Sequence, residues 1–356
     1  MPSFSLLPHA TQLEQLERLT RAALSEHYGI DGDAVMEVQQ YEDNAVWRVT
    51  PPGSNDSYVA RLSVRDGRPA HQQVSEMRWL ESLAHAHTVA VPVPVPAADG
   101  YVVPVAVPGH DELSTLAVLR WLPGTAEPPY RRPGVAVEMG RAAAHLHQHA
   151  ATVPLIDFDR PVWNAQTILQ QGHALATTQG HDQLGADGTR VLRTIAELIT
   201  PALQEGSPTD RGRIHGDLHR ENMIALPDGS GVGIIDFDDC GTGHYLLDIA
   251  TVLSSIHRIA RQEPGAYEDF ARAFLAGYTA VRPLPADTSR LLEPYLLLRD
   301  AFVLNFVTTA IPVNADVASW GPGRIAGIVS NMTAYLEGTP YPGNLPLPEH
   351  LLPTLG

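Results

Sequence analysis

The chain has 356 residues, a length that suggests two domains or one bilobal domain. Hydrophobic residues make up 44% and charged residues 18%, which is typical of a globular protein. The sequence predicts neither a transmembrane helix nor a signal peptide, because no run of about eighteen apolar residues is present and no basic region opens the chain. The net charge of −16 predicts that neither nucleic acid nor anionic membranes are partners, and the single cysteine, Cys240, excludes an intrachain disulfide and favours the cytoplasm.

Lysine is absent from the sequence, and all 24 basic residues are arginine. This absence excludes a Walker A loop, which requires Gly-Lys-Ser/Thr, and it excludes chemistry that depends on a lysine Schiff base. A phosphate contact in this protein must therefore come from arginine, histidine or backbone amides.

The first third of the chain predicts two helices and an antiparallel sheet. A helix over 9–28 has leucines at helical spacing and ends at Gly29. A second helix is predicted over about 70–84, and the proline-rich segment 89–103 is expected to be an extended connector. The strand-like runs are 35–40, 44–50, 57–63, 101–107 and 115–122.

The rest of the chain is predicted to be mainly helical, with one strand pair formed by NMIAL and GVGIID around the turn PDGSG. The pattern predicts a small β-rich N-lobe over residues 1–120 and a larger helical C-lobe over 121–356. The predicted helical runs are 133–150, 163–178, 188–204, 245–262, 266–281, 288–311 and 323–337.

The polar residues of RIHGDLHRENMI at 213–224 and GVGIIDFDDCG at 231–241 suit phosphoryl transfer from magnesium-ATP. That reaction needs a carboxylate to accept the acceptor hydroxyl's proton, and it needs carboxylate and amide oxygens to hold Mg²⁺. Asp217 and Asn222 share one short loop, and the hairpin that starts at Asn222 returns Asp236 to its side. The spacing therefore predicts that the three side chains face one site.

These segments resemble the catalytic and metal-binding motifs of the aminoglycoside phosphotransferase and choline kinase superfamily. The resemblance covers roughly residues 30–310, and YEDNAVWRV and LLDIATVL are most similar to the branch of the stress-response kinase A proteins, with homoserine-kinase-like enzymes nearby. It implies an α+β, bilobal protein-kinase-like fold. It also implies an enzyme that uses ATP and Mg²⁺ to phosphorylate a hydroxyl group of a small molecule.

The resemblance implies a role for each matching residue of the C-lobe. Asp217 is the implied catalytic base, and Asn222 and Asp236 are the implied magnesium ligands. Asp248 of the DIA segment and His215 are implied to brace the catalytic loop.

In the N-lobe, the resemblance implies five nucleotide-binding residues. Arg61 of YVARL takes the position of the lysine that contacts the ATP phosphates, and Glu76 of SEMRWL is its partner. Asn44 lies in the phosphate-flap loop. Leu119 and Trp121 belong to the hinge VLRWLPG, whose backbone is expected to meet the adenine.

Three departures from the protein-kinase pattern accompany this resemblance. Arg61 replaces lysine, and an arginine keeps the charge but is bulkier and not equivalent. The loop 41–46 has no glycine, which argues against an ordinary protein kinase. His219 stands two residues after the predicted base, where protein kinases place a lysine, and it is a candidate to donate a hydrogen bond to the transferring phosphate.

Other functions and roles remain open from the sequence alone. A Ser/Thr protein kinase and a nucleotide-binding pseudokinase are the alternatives to a small-molecule kinase. The acidic charge and the Asp238–Asp239 pair suit an acceptor with an amine, such as an aminosugar, an amino alcohol or an aminoglycoside-like compound. Taken singly, Asp217 could be a turn residue, Arg61 a surface residue and Glu76 a solvated helix residue.

Overall fold

The computed structural model describes residue 4 and the ranges 7–41, 44–64, 67–108, 113–126, 130–154, 156–205 and 207–346. The chain forms two compact units. The first unit is Met1–Pro123 with Ile156–Arg160, and the second is Gly124–Leu155 with Pro161–Gly356. The predicted division into residues 1–120 and 121–356 does not include the return of 156–160 to the first unit.

The first unit contains a five-stranded antiparallel sheet with the strand order β1-β2-β3-β5-β4 and two helices. Its elements are α1 (His9–Tyr28), β1 (Val35–Tyr41), β2 (Asn44–Thr50), β3 (Tyr58–Ser63), α2 (Ala70–Ala86), β4 (Val102–Val105) and β5 (Ser114–Arg120). The predicted elements of this part of the chain are all present.

Hydrophobic periodicity explains why these segments adopt their structures. Alternate residues of β2 are buried, with Ala45, Trp47 and Val49 pointing into the core of the first unit. Met77 and Leu80 are buried on α2 at helical spacing. Gly29 ends α1 in the left-handed conformation, with φ 65°, that glycine adopts without steric penalty.

The second unit is mainly helical. Its elements are β6 (Thr125–Ala126), α3 (Pro133–Thr152), β7 (Val162–Trp163), α4 (His173–Ala176), α5 (Thr178–Gln204), β8 (Arg211–Ile214), β9 (Met223–Ala225), β10 (Val232–Ile234), β11 (Gly241–His244), α6 (Tyr245–Ala260), α7 (Ala266–Thr279), α8 (Thr288–Ala310) and α9 (Ala315–Leu336). None of the helices formed by the described residues combines the length and apolar character needed to cross a membrane.

The expectation of a single strand pair in the second unit is wrong. The hairpin of β9 and β10 gains β6 as a third strand, and β7, β11 and β8 form another three-stranded sheet. The added strands are only two to four residues long. Runs of this length are too short to show the two-residue periodicity from which strands are predicted.

Three predicted helices have different bounds in the structure. The run 188–204 belongs to α5, which begins at Thr178 and contains the non-helical residue Gly185. The run 163–178 is not one helix, because it contains the end of β7, a π-helical turn at Gln166–Gln170 and the short α4. Helix α9 starts at Ala315 rather than at 323, since the Asn314 side chain caps it by accepting hydrogen bonds from the amides of Asp316 and Val317. Pro322 lies inside α9.

Helices α3 and α7 approach each other closely through glycine. A Cβ atom built on Gly140 of α3 would overlap the carbonyl oxygen of Phe274, and one built on Gly277 of α7 would overlap the carbonyl oxygen of Val137. The backbones of the two helices therefore pack against each other without an intervening side chain at these positions.

We expect Gly140→Ala to lower the free energy of unfolding by about 1–3 kcal/mol, the usual range for overpacking, although alanine is the better helix former. The control is Gly134→Ala near the start of α3, where an added Cβ meets no atom within 4 Å. Urea unfolding followed by circular dichroism measures both. Equal stability of the two variants would contradict close packing at Gly140.

Candidate functional site

The predicted catalytic residues lie on the loop between β8 and β9, here called the polar loop (residues 215–222). β8 pairs antiparallel with β11, and β9 pairs antiparallel with β10, so both ends of the polar loop are fixed by strands. The segment after β10 runs directly into β11 and then into α6, which carries Asp248. A short polar segment is therefore held by two small sheets and one helix.

Asp248 binds the start of the polar loop. Its two carboxylate oxygens accept hydrogen bonds from the backbone amides of His215 at 2.8 Å and Gly216 at 2.9 Å. The imidazole of His147 on α3 lies 3.0 Å from the same carboxylate. Asp248 is fully buried, and these three donors compensate the loss of water around its carboxylate.

Gly216 is the one position of the polar loop that requires glycine. Its φ is 82°, and a Cβ atom there would overlap the carbonyl oxygen of Asp239. A side chain at this position would therefore be disfavoured by both the backbone conformation and the close approach.

His215 links the polar loop to the end of β10. Its Nε2 lies 2.9 Å from the carbonyl oxygen of Ile235, and its Nδ1 accepts the amide of Asp217 at 3.3 Å. Burial lowers the pKa of His215, so the imidazole is neutral and one nitrogen can donate while the other accepts. The structure thus confirms that Asp248 and His215 brace this loop.

Asp217 is held between two cationic groups. Arg299 of α8 approaches Oδ1 at 2.5 Å, and Nε2 of His219 lies 3.3 Å from Oδ2. The other ring nitrogen of His219 lies 2.8 Å from Glu221. The Asp217 side chain is one-quarter exposed, so it is not sealed inside the core.

These ion pairs determine the charges at the polar loop. Burial would raise the pKa of Asp217, but the charges of Arg299 and His219 outweigh it and hold that pKa well below its usual range. Burial would lower the pKa of His219, yet the Asp217 carboxylate and the hydrogen bond with Glu221 raise it to about 9. Near neutral pH, Asp217 is therefore a carboxylate and His219 an imidazolium.

Asn222 is hydrogen-bonded to Ile235, the residue before Asp236. The amide of Ile235 donates to the backbone carbonyl of Asn222 at 2.9 Å, which fixes residue 236 beside residue 222. The Asn222 side chain donates through Nδ2 to the carbonyl of Asp217 at 3.0 Å, which leaves Oδ1 as its acceptor atom. Asp236 is exposed and adopts φ 61°.

An amide oxygen and an exposed carboxylate fit Mg²⁺, which prefers oxygen ligands and takes the others from phosphates and water. Within the described ranges, no cluster of three or more His, Cys, Asp or Glu residues is arranged to hold a metal ion. The protein's share of a magnesium site would thus be the pair Asn222 and Asp236.

Arg61 and Glu76 form a buried two-point ion pair in the first unit. Arg61 Nη1 and Nη2 lie 2.9 Å and 2.6 Å from the two carboxylate oxygens of Glu76. Arg61 is 7% exposed and Glu76 is 1% exposed, so neither is a solvated surface residue. Arg160 lies 3.9 Å from the same carboxylate and is a second cation that the sequence did not predict.

The other predicted nucleotide-binding residues lie in the sheet of the first unit or directly after its strand β5. Asn44 is the first residue of β2, and Leu119 is buried in β5 opposite Val59. Trp121 is half-buried with the guanidinium of Arg48 over its ring. Residues 42 and 43 of the predicted phosphate flap lie outside the described residues. Nucleotide binding by these side chains remains a prediction.

Sequence reasoning missed Arg299. This arginine is separated from Asp217 by 82 positions and lies on a helix that shows no local motif. The absence of lysine left arginine, histidine and backbone amides as possible phosphate contacts, but it did not indicate that an arginine pairs with Asp217.

We expect Asp248→Asn to lower the free energy of unfolding by about 2–3 kcal/mol. The asparagine side chain has no negative charge, and its NH₂ group would face a backbone N–H group that needs an acceptor. Asp269→Asn on α7, whose carboxylate is exposed and pairs with Arg272, should leave stability nearly unchanged. Chemical denaturation of both variants tests this. The bracing role of Asp248 would be refuted by a variant as stable as the parent protein.

Stability should be greatest near pH 6.5–7 and fall on both sides. Burial lowers the pKa of His147, of His215 and of His244, the last to about 3. Below about pH 6.5, these histidines are protonated in the unfolded chain but not in the folded chain. Each of them therefore lowers the free energy of unfolding by up to about 1.4 kcal/mol for every pH unit of acidification. His219 acts oppositely: its stabilisation is complete below about pH 6.5 and is lost as pH rises through about 9.

Urea unfolding between pH 5 and pH 10 measures this profile. His219→Gln should flatten the alkaline side and keep the acidic side. An acidic side that is flat in the parent protein would show that the buried histidines are protonated in the folded state.

Comparison with solved structures supports the fold. A microcompartment-associated aminopropanol kinase superposes with a TM-score of 0.72 at 26% identity, covering 90% of this chain and 97% of that one. An amicoumacin kinase in complex with AMP-PNP and Ca²⁺ superposes with a TM-score of 0.73 at 20% identity, covering 94% and 99%. The predicted α+β, protein-kinase-like fold is confirmed.

Sequence comparison finds homoserine kinases among the relatives. The homoserine kinase of Caulobacter sp. (strain K31) is 30% identical over 220 residues, which are 60% of this chain and 61% of that protein. That of Neisseria meningitidis serogroup B is 29% identical over 148 residues, 42% and 45% of the two chains. The chain thus aligns with about half the length of such relatives.

The family model described as "Phosphotransferase enzyme family" matches residues 35–284, a range that contains Arg61, Glu76, the polar loop and Asp248. The predicted superfamily is confirmed by this match. The chain belongs to the phosphotransferase enzyme family.

Proposed function

We propose that this protein is an ATP- and Mg²⁺-dependent kinase that phosphorylates a hydroxyl group of a small molecule. The observation that carries the proposal is the Asp217 carboxylate, ionised and partly exposed on a loop that Asp248 and His215 hold in place, with Asn222 bonded to its backbone. This is the combination that a base for phosphoryl transfer requires: a fixed position, a negative charge and access to an acceptor.

In the proposed reaction, the acceptor hydroxyl donates a hydrogen bond to Asp217 and its oxygen attacks the γ-phosphorus of ATP. A new O–P bond forms, the bond between the γ-phosphorus and the β-γ bridging oxygen breaks, and its electron pair leaves on ADP. The hydroxyl proton passes to Asp217. His219, two residues further on, is proposed to neutralise charge on the transferring phosphoryl group.

Mg²⁺, when bound, would neutralise the β- and γ-phosphates. Asn222 and Asp236 would hold it, since both offer oxygen atoms of the kind that this ion prefers. The backbone hydrogen bond between Ile235 and Asn222, which brings residues 222 and 236 close along the backbone, supports this assignment.

Residues of the first unit are proposed to bind the nucleotide. Arg61 takes the role of the phosphate-contacting lysine, and its buried pair with Glu76 fixes the guanidinium. A planar guanidinium can contact Glu76 and a phosphate through different N–H groups, which supports the use of arginine in a chain without lysine. The backbone near Leu119 and Trp121 is proposed to meet the adenine.

A small-molecule acceptor is supported by the names of the similar proteins. These include homoserine kinases and an aminopropanol kinase, and both names describe a small compound with a hydroxyl group. The location in the cytoplasm, where ATP and Mg²⁺ are available, is part of the same proposal.

We expect Asp217→Asn to lower kcat by about 10²–10⁴-fold, the usual effect of losing a positioned base, while nucleotide binding persists. Asp228→Asn in the exposed turn between β9 and β10 is the control, and it should retain full turnover. A coupled ADP-release assay over a panel of hydroxyl compounds measures turnover, and calorimetry with AMP-PNP and Mg²⁺ measures binding. Normal kcat in Asp217→Asn would exclude this residue as the base, and an inactive parent that still binds AMP-PNP would favour the pseudokinase alternative.

A further inference from the structure

Four arginines lie near the polar loop although the net charge of the chain is −16. They are Arg220, Arg258, Arg299 and Arg324, and their carboxylate partners are Glu221, Asp217 and Asp300. The imidazole of His219 also lies 3.3 Å from Asp217. Asp248 and Asp236 add carboxylates at the two ends of the loop, so an anion would be bound by particular arginines and not by an excess of positive charge.

Arg299 is the central member of this cluster. It is 9% exposed, and its Nη2 lies 2.5 Å from Asp217. Its Nη1 is buried and has no hydrogen-bond partner among the described residues. The guanidinium also lies 5.3 Å over the ring of Phe302. A buried guanidinium N–H group without an acceptor is unfavourable. A ligand oxygen that accepted a hydrogen bond from Nη1 would remove this penalty.

The remaining arginines are paired to different extents. Arg220 lies 3.0 Å from Glu221, and Arg324 lies 3.0 Å from Asp300. Arg258 is only 3.9 Å from Glu221. Burial and then the charges of Arg324, Arg220 and Arg299 lower the pKa of Arg258, which places these cations within electrostatic reach of one another. An anion that binds here would reduce their mutual repulsion.

The ion pair with Arg299 also restrains the proposed base. A carboxylate held by a guanidinium is a weak proton acceptor, because the ion pair stabilises its charged form. A ligand anion that takes over hydrogen bonds of Arg299 would raise the basicity of Asp217. Binding of the acceptor and activation of the base would then be coupled.

We propose that the acceptor carries a carboxylate as well as its hydroxyl group, and that Arg299 binds this carboxylate. Arg299 is therefore a specificity residue that selects hydroxy acids and hydroxy amino acids over uncharged or purely cationic alcohols. The proposal rests on the proposed kinase function and deepens it. The amine expected from the overall charge is compatible with it only as a second group on an acidic acceptor.

Three acceptor pairs that differ only by a carboxylate provide the test. They are L-homoserine and 3-amino-1-propanol, L-serine and ethanolamine, and L-threonine and 1-amino-2-propanol. The parent protein should show a higher kcat/KM for the amino acid than for the amino alcohol in at least one pair. A preference for the amino alcohol wherever turnover occurs would overturn the inference and leave the kinase function intact.

Arg299→Gln should lower the ratio of kcat/KM for the acid to that for the amino alcohol by about 10–100-fold, the usual range for a charge-assisted hydrogen bond. Arg299→Lys should restore part of the ratio. Arg272→Gln on the exposed side of α7 is the control. A purely structural role would lower both kcat/KM values together and leave their ratio unchanged, and that result would overturn the proposal.

Asp217→Asn supplies a test that does not depend on turnover. Removing the carboxylate releases Arg299, so this variant should bind the amino acids more tightly than the parent protein while the amino alcohols gain nothing. Thermal shift with AMP-PNP and Mg²⁺ present measures this binding. If no acceptor is turned over, the shift decides: equal shifts with acids and amino alcohols overturn the inference, and failure to bind AMP-PNP counts against the kinase function itself.

Discussion

The arrangement of the polar loop depends on one buried carboxylate. Asp248 on α6 accepts the amides of His215 and Gly216 and contacts His147 from α3, so a single side chain connects the loop to two helices. A buried carboxylate without donors would be strongly unfavourable. The hydrogen bonds that compensate Asp248 fix the backbone of His215 and Gly216. They therefore also fix the position of Asp217, the next residue along the loop.

Electrostatics then give Asp217 its properties. Arg299 and His219 keep it ionised, and His215 positions its backbone amide. Both charged partners of Asp217 are cationic side chains although the chain as a whole is acidic. Net charge is thus a poor guide to the ligand of a site in this protein, because the site is defined by the few charges within reach of the reacting group.

The sequence predicted the parts of the site whose members are close along the chain. Asp217 and Asn222 are five residues apart, and a short hairpin returns Asp236 to Asn222, so local backbone geometry was sufficient. The pairing of Arg61 with Glu76 was predicted only through the family resemblance, and the structure contains it. Short strands such as β7 and β11 could not be predicted, since two to four residues carry no periodicity.

The sequence alone determined the class of fold, the order of the main helices and strands, the dependence on arginine in place of lysine and the identity of the loop with the proposed base. Only the tertiary structure decided which distant residues complete that loop. Arg299 reaches Asp217 because α8 packs against α6, and His147 reaches Asp248 because α3 packs against β8 and α6. Helix packing follows from burial of apolar faces over the whole unit, and a polar side chain that packing brings into place leaves no local signal in the sequence.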